Sequence, residues 1–123
     1  MLGRTHRFHG HKALNAVYQR GKTARSPMIN LRFASRDPRK PYRVAVVVSR
    51  KVSKSAVTRN RIRRRIYSAV RTSESAADVS ISPGTDLVFT VFDDKLAELP
   101  APELQKTVAG LLEKASKPAG GQH

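Results

Sequence analysis

The sequence predicts a small α+β fold, one sheet with helices packed on it, and three observations carry that prediction. Two segments in the first half and one in the second have the apolar spacing of strands. Three others carry apolar residues at helical spacing. The length of 123 residues, against roughly 100 to 200 residues for a typical domain, leaves room for one domain. With 39% hydrophobic and 27% charged residues, the composition is near the globular average and can build a modest core.

In chain order, residues 11–20 (HKALNAVYQR) place Leu14, Val17 and Tyr18 at i, i+3 and i+4, with Gly21 as a stop, which reads as a short amphipathic helix. Residues 28–33 alternate, Ile29, Leu31 and Phe33 on one face and Met28, Asn30 and Arg32 on the other, as in a half-buried strand. Residues 36–41 hold two prolines and Asp37, which is turn chemistry. The nearly all-apolar residues 42–49 then suit a central strand, and the pair reads as a hairpin. A helix follows over residues 51–71, with Ser53 or Ser55 as N-cap and Ile62, Ile66, Ala69 and Val70 as its buried stripe. Residues 73–83 read as a polar loop and residues 86–92 as a further strand. Residues 102–114 read as a helix burying Leu104, Val108, Leu111 and Leu112, and residues 117–123 as a flexible C-terminal tail.

Charge narrows the function. There are 24 Lys and Arg against 9 Asp and Glu, a net charge of +15. Residues 1–71 hold 20 of the basic residues and a single acidic one, Asp37, whereas residues 72–123 hold four basic and eight acidic. So much like charge on one half of a small domain calls for a polyanion, with nucleic acid ahead of an anionic membrane. The absence of cysteine excludes disulfides, thiolate metal sites and a cysteine nucleophile. The longest aliphatic run, residues 44–48, is far below the roughly 20 residues of a membrane span, and no signal-type apolar segment follows Met1. These features predict a soluble, cytoplasmic protein with no membrane partner.

The densest chemistry lies at residues 59–65, where Arg59, Asn60, Arg61, Arg63, Arg64 and Arg65 surround the lone apolar Ile62. At 100° per residue, Arg63, Tyr67, Asn60, Arg71 and Arg64 form one continuous arc opposite the buried stripe. Guanidinium groups grip phosphate oxygens with a planar pair of donors, Asn60 adds an amide, and the Tyr67 ring could stack on a base. A charge run is often only a wet surface. Here no acidic residue lies between Arg39 and Arg71 to pair with it, which favours a phosphate partner. His6, His9 and His11 lack a nearby carboxylate and read as an exposed segment rather than a metal site. Asp93 and Asp94 read as a turn rather than a catalytic pair, and no phosphate loop, nucleophile elbow or separated triad is present.

The stretch from Arg43 through Val44, Ala45, Val46, Val47, Val48, Ser49 and Arg50 to Lys51, followed by Ala56, Val57, Thr58, Arg59, Asn60, Arg61, Ile62, Arg63 and Arg64, resembles the signature of the bacterial ribonuclease P protein component family. That signature is a strand ending in Ser-Lys-Lys, a short loop and an Arg-Asn-Arg helix. The resemblance extends over nearly the whole chain, with residues 1–116 as the domain. It implies an α-β-β-β-α-β-α order, with an added short strand near residues 22–26, a mostly antiparallel central sheet and a left-handed βαβ crossover. It further implies that an RNA subunit holds the catalytic magnesium ions and cleaves the 5′ leader from precursor tRNA, while the basic protein binds both RNAs. Arg59, Asn60, Arg61, Arg63, Arg64 and Tyr67 would then meet the ribonuclease P RNA. Leu14, Tyr18, Ser49, Arg50 and Lys51 would border a cleft for the precursor tRNA leader. No catalytic residue and no metal ligand are assigned to the protein itself. The chain departs from the family pattern at Leu14 and Tyr18, where two phenylalanines are usual, at Arg50, where lysine is usual, and at Tyr67, where a basic residue is common. The familiar loop glycine before the helix is absent, with Ser53 nearby. Three rivals have different signatures: a ribosomal protein would leave precursor cleavage unaffected, a DNA-binding helix would need more base-reading side chains than an arginine stripe offers, and a stand-alone nuclease would need a carboxylate cluster.

Overall fold

The computed structural model describes residues 21–35, 39, 42–75 and 84–116. The expected helix at residues 11–20, the three early histidines, Leu14, Tyr18 and the C-terminal tail lie outside the described residues. Strand β1 is Lys22–Ala24, β2 is Ile29–Ser35, β3 is Arg43–Val47 and β4 is Thr85–Val91. Helix α1 spans Ala56–Ser75, and α2 spans Ala101–Ser116 after a 3₁₀ turn at Asp94–Ala97.

The four strands form one sheet in the order β1-β2-β4-β3. β2 runs antiparallel to β1, with Ala24 opposite Leu31, and antiparallel to β4, with Leu31 opposite Phe89. β3 runs parallel to β4, with Val46 beside Phe89. Two of the three pairings are therefore antiparallel, as expected, and β3-α1-β4 is the crossover unit. The hairpin expected between residues 28–33 and 42–49 does not form. β4 inserts between β2 and β3, so chain neighbours are not sheet neighbours. Nor is β3 central: among the described strands it is an edge, while β2 and β4 are inner strands, each paired on both sides. The apolar run of β3 reflects cover on both faces instead, with Val44 and Val46 in the main core and Ala45 against Val88 on the opposite face.

Alternation decides which side chains reach the helices. Ile29, Leu31, Val44, Val46, Leu87, Phe89 and Val91 face a core completed by Ile62, Ile66, Ala69 and Val70 of α1 and by Leu104, Val108, Leu111 and Leu112 of α2. The predicted stripes of both helices are the buried ones. At about 1.5 to 3 kcal/mol for each large aliphatic side chain buried, these contacts fix the helices against the sheet. Gly84, immediately before β4, has φ 77°, a left-handed backbone that a side chain would strain.

Helix boundaries depart from expectation at both ends of α1. The helix begins after Ser55, whose Oγ accepts from the Thr58 backbone N–H at 3.2 Å, so residues 51–54 form a turn rather than helix. The far end continues to Ser75. Ser73, expected in a loop, is fully buried, and its hydroxyl accepts from Gln105 Nε2, which also donates to the Ala69 carbonyl at 3.1 Å. This tie to α2 extends the helix by a turn.

Two polar links close the other end of the sheet. Arg43 of β3 donates twice to the buried Asp86 carboxylate of β4, at 2.9 and 2.8 Å. The Tyr42 hydroxyl donates to Glu74 at 3.0 Å, joining the start of β3 to the last turn of α1. Burial, then the hydrogen bond to Glu74 and its charge, push the Tyr42 phenol well above its ordinary value. The fold thus keeps a proton that the unfolded chain releases above about pH 10, so this stabilisation is present below that pH and is lost as pH rises beyond it. Tyr42→Phe should cost about 1 kcal/mol near neutral pH through the lost hydrogen bond. In urea titrations, the advantage of the native protein over this variant should narrow above about pH 10.

Candidate nucleic-acid interface

Residues 48–55 and the first half of α1 build one basic corner. The backbone N–H groups of Val52 and Ser53 donate to the Ser49 carbonyl, at 3.1 and 3.3 Å, closing a turn on which Ser49, Arg50 and Lys51 are all exposed. Arg59 Nη1 reaches back to the carbonyls of Ser53 (2.9 Å) and Lys54 (3.1 Å). That grip holds the turn against the helix start. Arg63 Nη2 donates to the Val48 carbonyl at 3.5 Å, linking the end of β3 to α1. The structure therefore brings Ser49, Arg50 and Lys51 beside Arg59, Asn60 and Arg63. Leu14 and Tyr18, expected to border the same cleft, lie outside the described residues.

The arginines of residues 59–65 do not share one task. Arg63 Nη1 donates to Asn60 Oδ1 at 2.9 Å, which occupies the amide oxygen. Asn60, Arg61 and Arg64 are exposed, and among the described residues no carboxylate pairs with Arg61 or Arg64. Arg65 points the other way. Its guanidinium donates to the carbonyls of Leu96, at 2.6 Å, and Leu99, so it fastens α1 to the 3₁₀ turn and takes no part in the corner. Tyr67 is half-buried and packs against the core, which commits part of the ring that could have stacked on a base.

Asp93 is accounted for by structure, as a turn. Its carboxylate accepts from the Lys95 backbone N–H at 2.9 Å and caps the 3₁₀ turn. Among the described residues, no three His, Asp or Glu side chains come together as a metal site, and no helix is long and apolar enough to cross a membrane. The sheet face opposite the helices adds one residue that sequence reading did not single out. Arg32, half-buried there, donates to Thr23 Oγ1 at 3.0 Å. The signal was its place among the outward residues of β2.

A basic α+β domain, with an arginine-rich helix seated on a mixed sheet, has the chemistry of a nucleic-acid-binding module. Comparison with known proteins makes this particular. Residues 2–116 match the Ribonuclease P family. The ribonuclease P protein component of Chloroflexus aurantiacus is 35% identical over 114 residues, covering 93% of this chain and 80% of that protein. The one from Gluconacetobacter diazotrophicus is 38% identical over 88 residues, 72% of each chain. Among solved structures, the RNase P protein from Thermotoga maritima superposes with a TM-score of 0.69 at 19% identity, covering 82% of this chain and 89% of that one. A Staphylococcus aureus RNase P protein mutant superposes with a TM-score of 0.71 at 17% identity, covering 89% and 87%. The chain belongs to the ribonuclease P protein family, which places it in tRNA processing as the protein partner of the ribonuclease P RNA.

If Asn60 and Arg64 meet RNA phosphates, the double variant Asn60→Ala, Arg64→Ala should bind ribonuclease P RNA more weakly. Loss of the charged Arg64 contact should also flatten the slope of log affinity against log salt by about 0.7 to 0.9, whereas the uncharged Asn60 affects affinity alone. Filter binding across a salt series checks both, and an unchanged slope would take this stripe out of the interface.

Proposed function

We propose that this chain binds the ribonuclease P RNA through the outward face of α1 and guides the 5′ leader of precursor tRNA past the turn at Ser49, Arg50 and Lys51. The reading rests above all on one observation: Arg61 and Arg64 stand exposed, with no carboxylate partner among the described residues, beside the amide of Asn60. Exposed guanidinium groups in such a row lose little by docking and gain a charge-assisted pair at each phosphate. Arg59 and Arg63 contribute by holding the turn and the Asn60 amide in place, in addition to their charge. On this reading Leu14 and Tyr18 offer apolar surface to the leader, as the family resemblance implies.

The protein's own chemistry is then positioning and screening. The described Asp93 carboxylate serves as a cap, and on this reading magnesium belongs with the RNA subunit, as the family resemblance implies. When bound there, it supplies the Lewis acid and the activated water for phosphodiester hydrolysis. Basic side chains beside crowded phosphates lower the repulsion that opposes both metal and substrate binding, and a fixed leader raises the effective concentration of the scissile bond.

The test is cleavage of a precursor tRNA at low magnesium by the protein alone, a bacterial ribonuclease P RNA alone, and the two together. Cleavage at the mature 5′ end is expected only in the mixture, or much faster there than with RNA alone. Tight, salt-sensitive RNA binding with no gain in cleavage would instead favour a general RNA-binding role.

A further inference from the structure

Phe92, just past the end of β4, is 54% exposed, and what singles it out is its place beside the basic turn of residues 49–51. Its position follows from the register. The last paired residues of the parallel strands are Val47 and Thr90, so Ser49 and Phe92 lie two residues further along each strand, at the same end of the sheet. Alternation puts both on the face turned away from the helices, since Val48 and Val91 point into the core. Neighbouring strands are about 4.8 Å apart, so the Phe92 ring leaves the sheet alongside the exposed Ser49, Arg50 and Lys51. The backbone is firm there, because the Phe92 N–H donates to the Met28 carbonyl at 2.8 Å. On the other side of Phe92 the charge reverses, with Asp93 in its cap and Asp94 exposed.

We propose that Phe92 is a stacking platform for one unpaired base of a single-stranded RNA whose phosphates run along Ser49, Arg50 and Lys51. A ring between a cationic turn and an anionic one sorts a nucleotide by its parts. The phosphate is drawn to the guanidinium and ammonium side and repelled from Asp93 and Asp94, which leaves the base to cover the ring. A stack needs no hydrogen bond to the base and accepts any sequence. The proposal rests on the reading of this corner as RNA-binding and adds a residue to it.

The chain has no tryptophan, so Phe92→Trp places a single indole reporter at the site. With the full-length protein and an oligouridylate of about eight nucleotides, indole fluorescence should be quenched on binding. Phe92→Ala and Phe92→Leu should each weaken binding by about five-fold or more, and Phe92→Tyr should restore it, since a stack is worth ~1 kcal/mol or more per base. Leucine separates stacking from mere apolar cover. Full affinity in Phe92→Leu, or an unquenched indole despite oligonucleotide binding, would overturn the platform and leave the RNA-binding reading standing. A change of mass in sedimentation on Phe92→Ala, with RNA affinity intact, would overturn it in favour of a protein contact. No binding of the oligonucleotide by the native protein, while ribonuclease P RNA still binds, would also overturn it. Failure to bind either RNA would remove the underlying reading as well.

Discussion

Helix α1 is held by one side and charged on the other, and the two conditions depend on each other. Ile62, Ile66, Ala69 and Val70 are buried against the sheet and α2, and that fixed stripe determines the direction in which Asn60, Arg61 and Arg64 point. A loose helix bearing so many like charges would spread them apart and present no surface of defined shape. Packing against an apolar sheet face prevents this, since each buried aliphatic side chain contributes more than an exposed like-charge pair costs in water.

Arginine serves both sides of that arrangement. Arg65 is fastened to the carbonyls of Leu96 and Leu99, and Arg59 to those of Ser53 and Lys54. Each satisfies backbone oxygens at an irregular turn and sets the angle at which α1 leaves β3 or meets the 3₁₀ turn. Arg43, bidentate on Asp86, locks the parallel pair of strands that brackets the helix. The arginines left facing outward are therefore a remainder, fewer than the run of residues 59–65 suggests. Its neighbour, the turn of Ser49, Arg50 and Lys51, extends the same charge to the end of the sheet.

Much of this was legible in the residues and some was not, for identifiable reasons. The stripes of α1 and α2 and the buried face of β2 follow from periodicity, which reports burial directly. Strand partners do not. By sequence Pro38 and Pro41 read as a turn, but nothing local states that the distant β4 fills the place between β2 and β3. Serine at 53 or 55 could cap α1, and only the hydrogen bond to Thr58 selects Ser55. Ser73 looked like loop because its partner, Gln105, is a tertiary neighbour. Within the site, the outward arc came from angular arithmetic. The inward turn of Arg65 and the backward reach of Arg59 did not, because a guanidinium on a long stem chooses among carbonyls that only the fold brings near. Phe92 escaped notice because alternation gives its side of the strand but not its exposure at the sheet's end.

The central claim is that the Asn60 side of α1 faces RNA while α2 does not. Because the chain has no cysteine, single-cysteine variants Asn60→Cys and Lys106→Cys can each carry a tethered hydroxyl-radical source, and cleavage of the bound ribonuclease P RNA can be mapped. The account predicts strong, localised cuts from position 60 and little from position 106, on the exposed surface of α2. Strong cuts from position 106 with none from position 60 would contradict it.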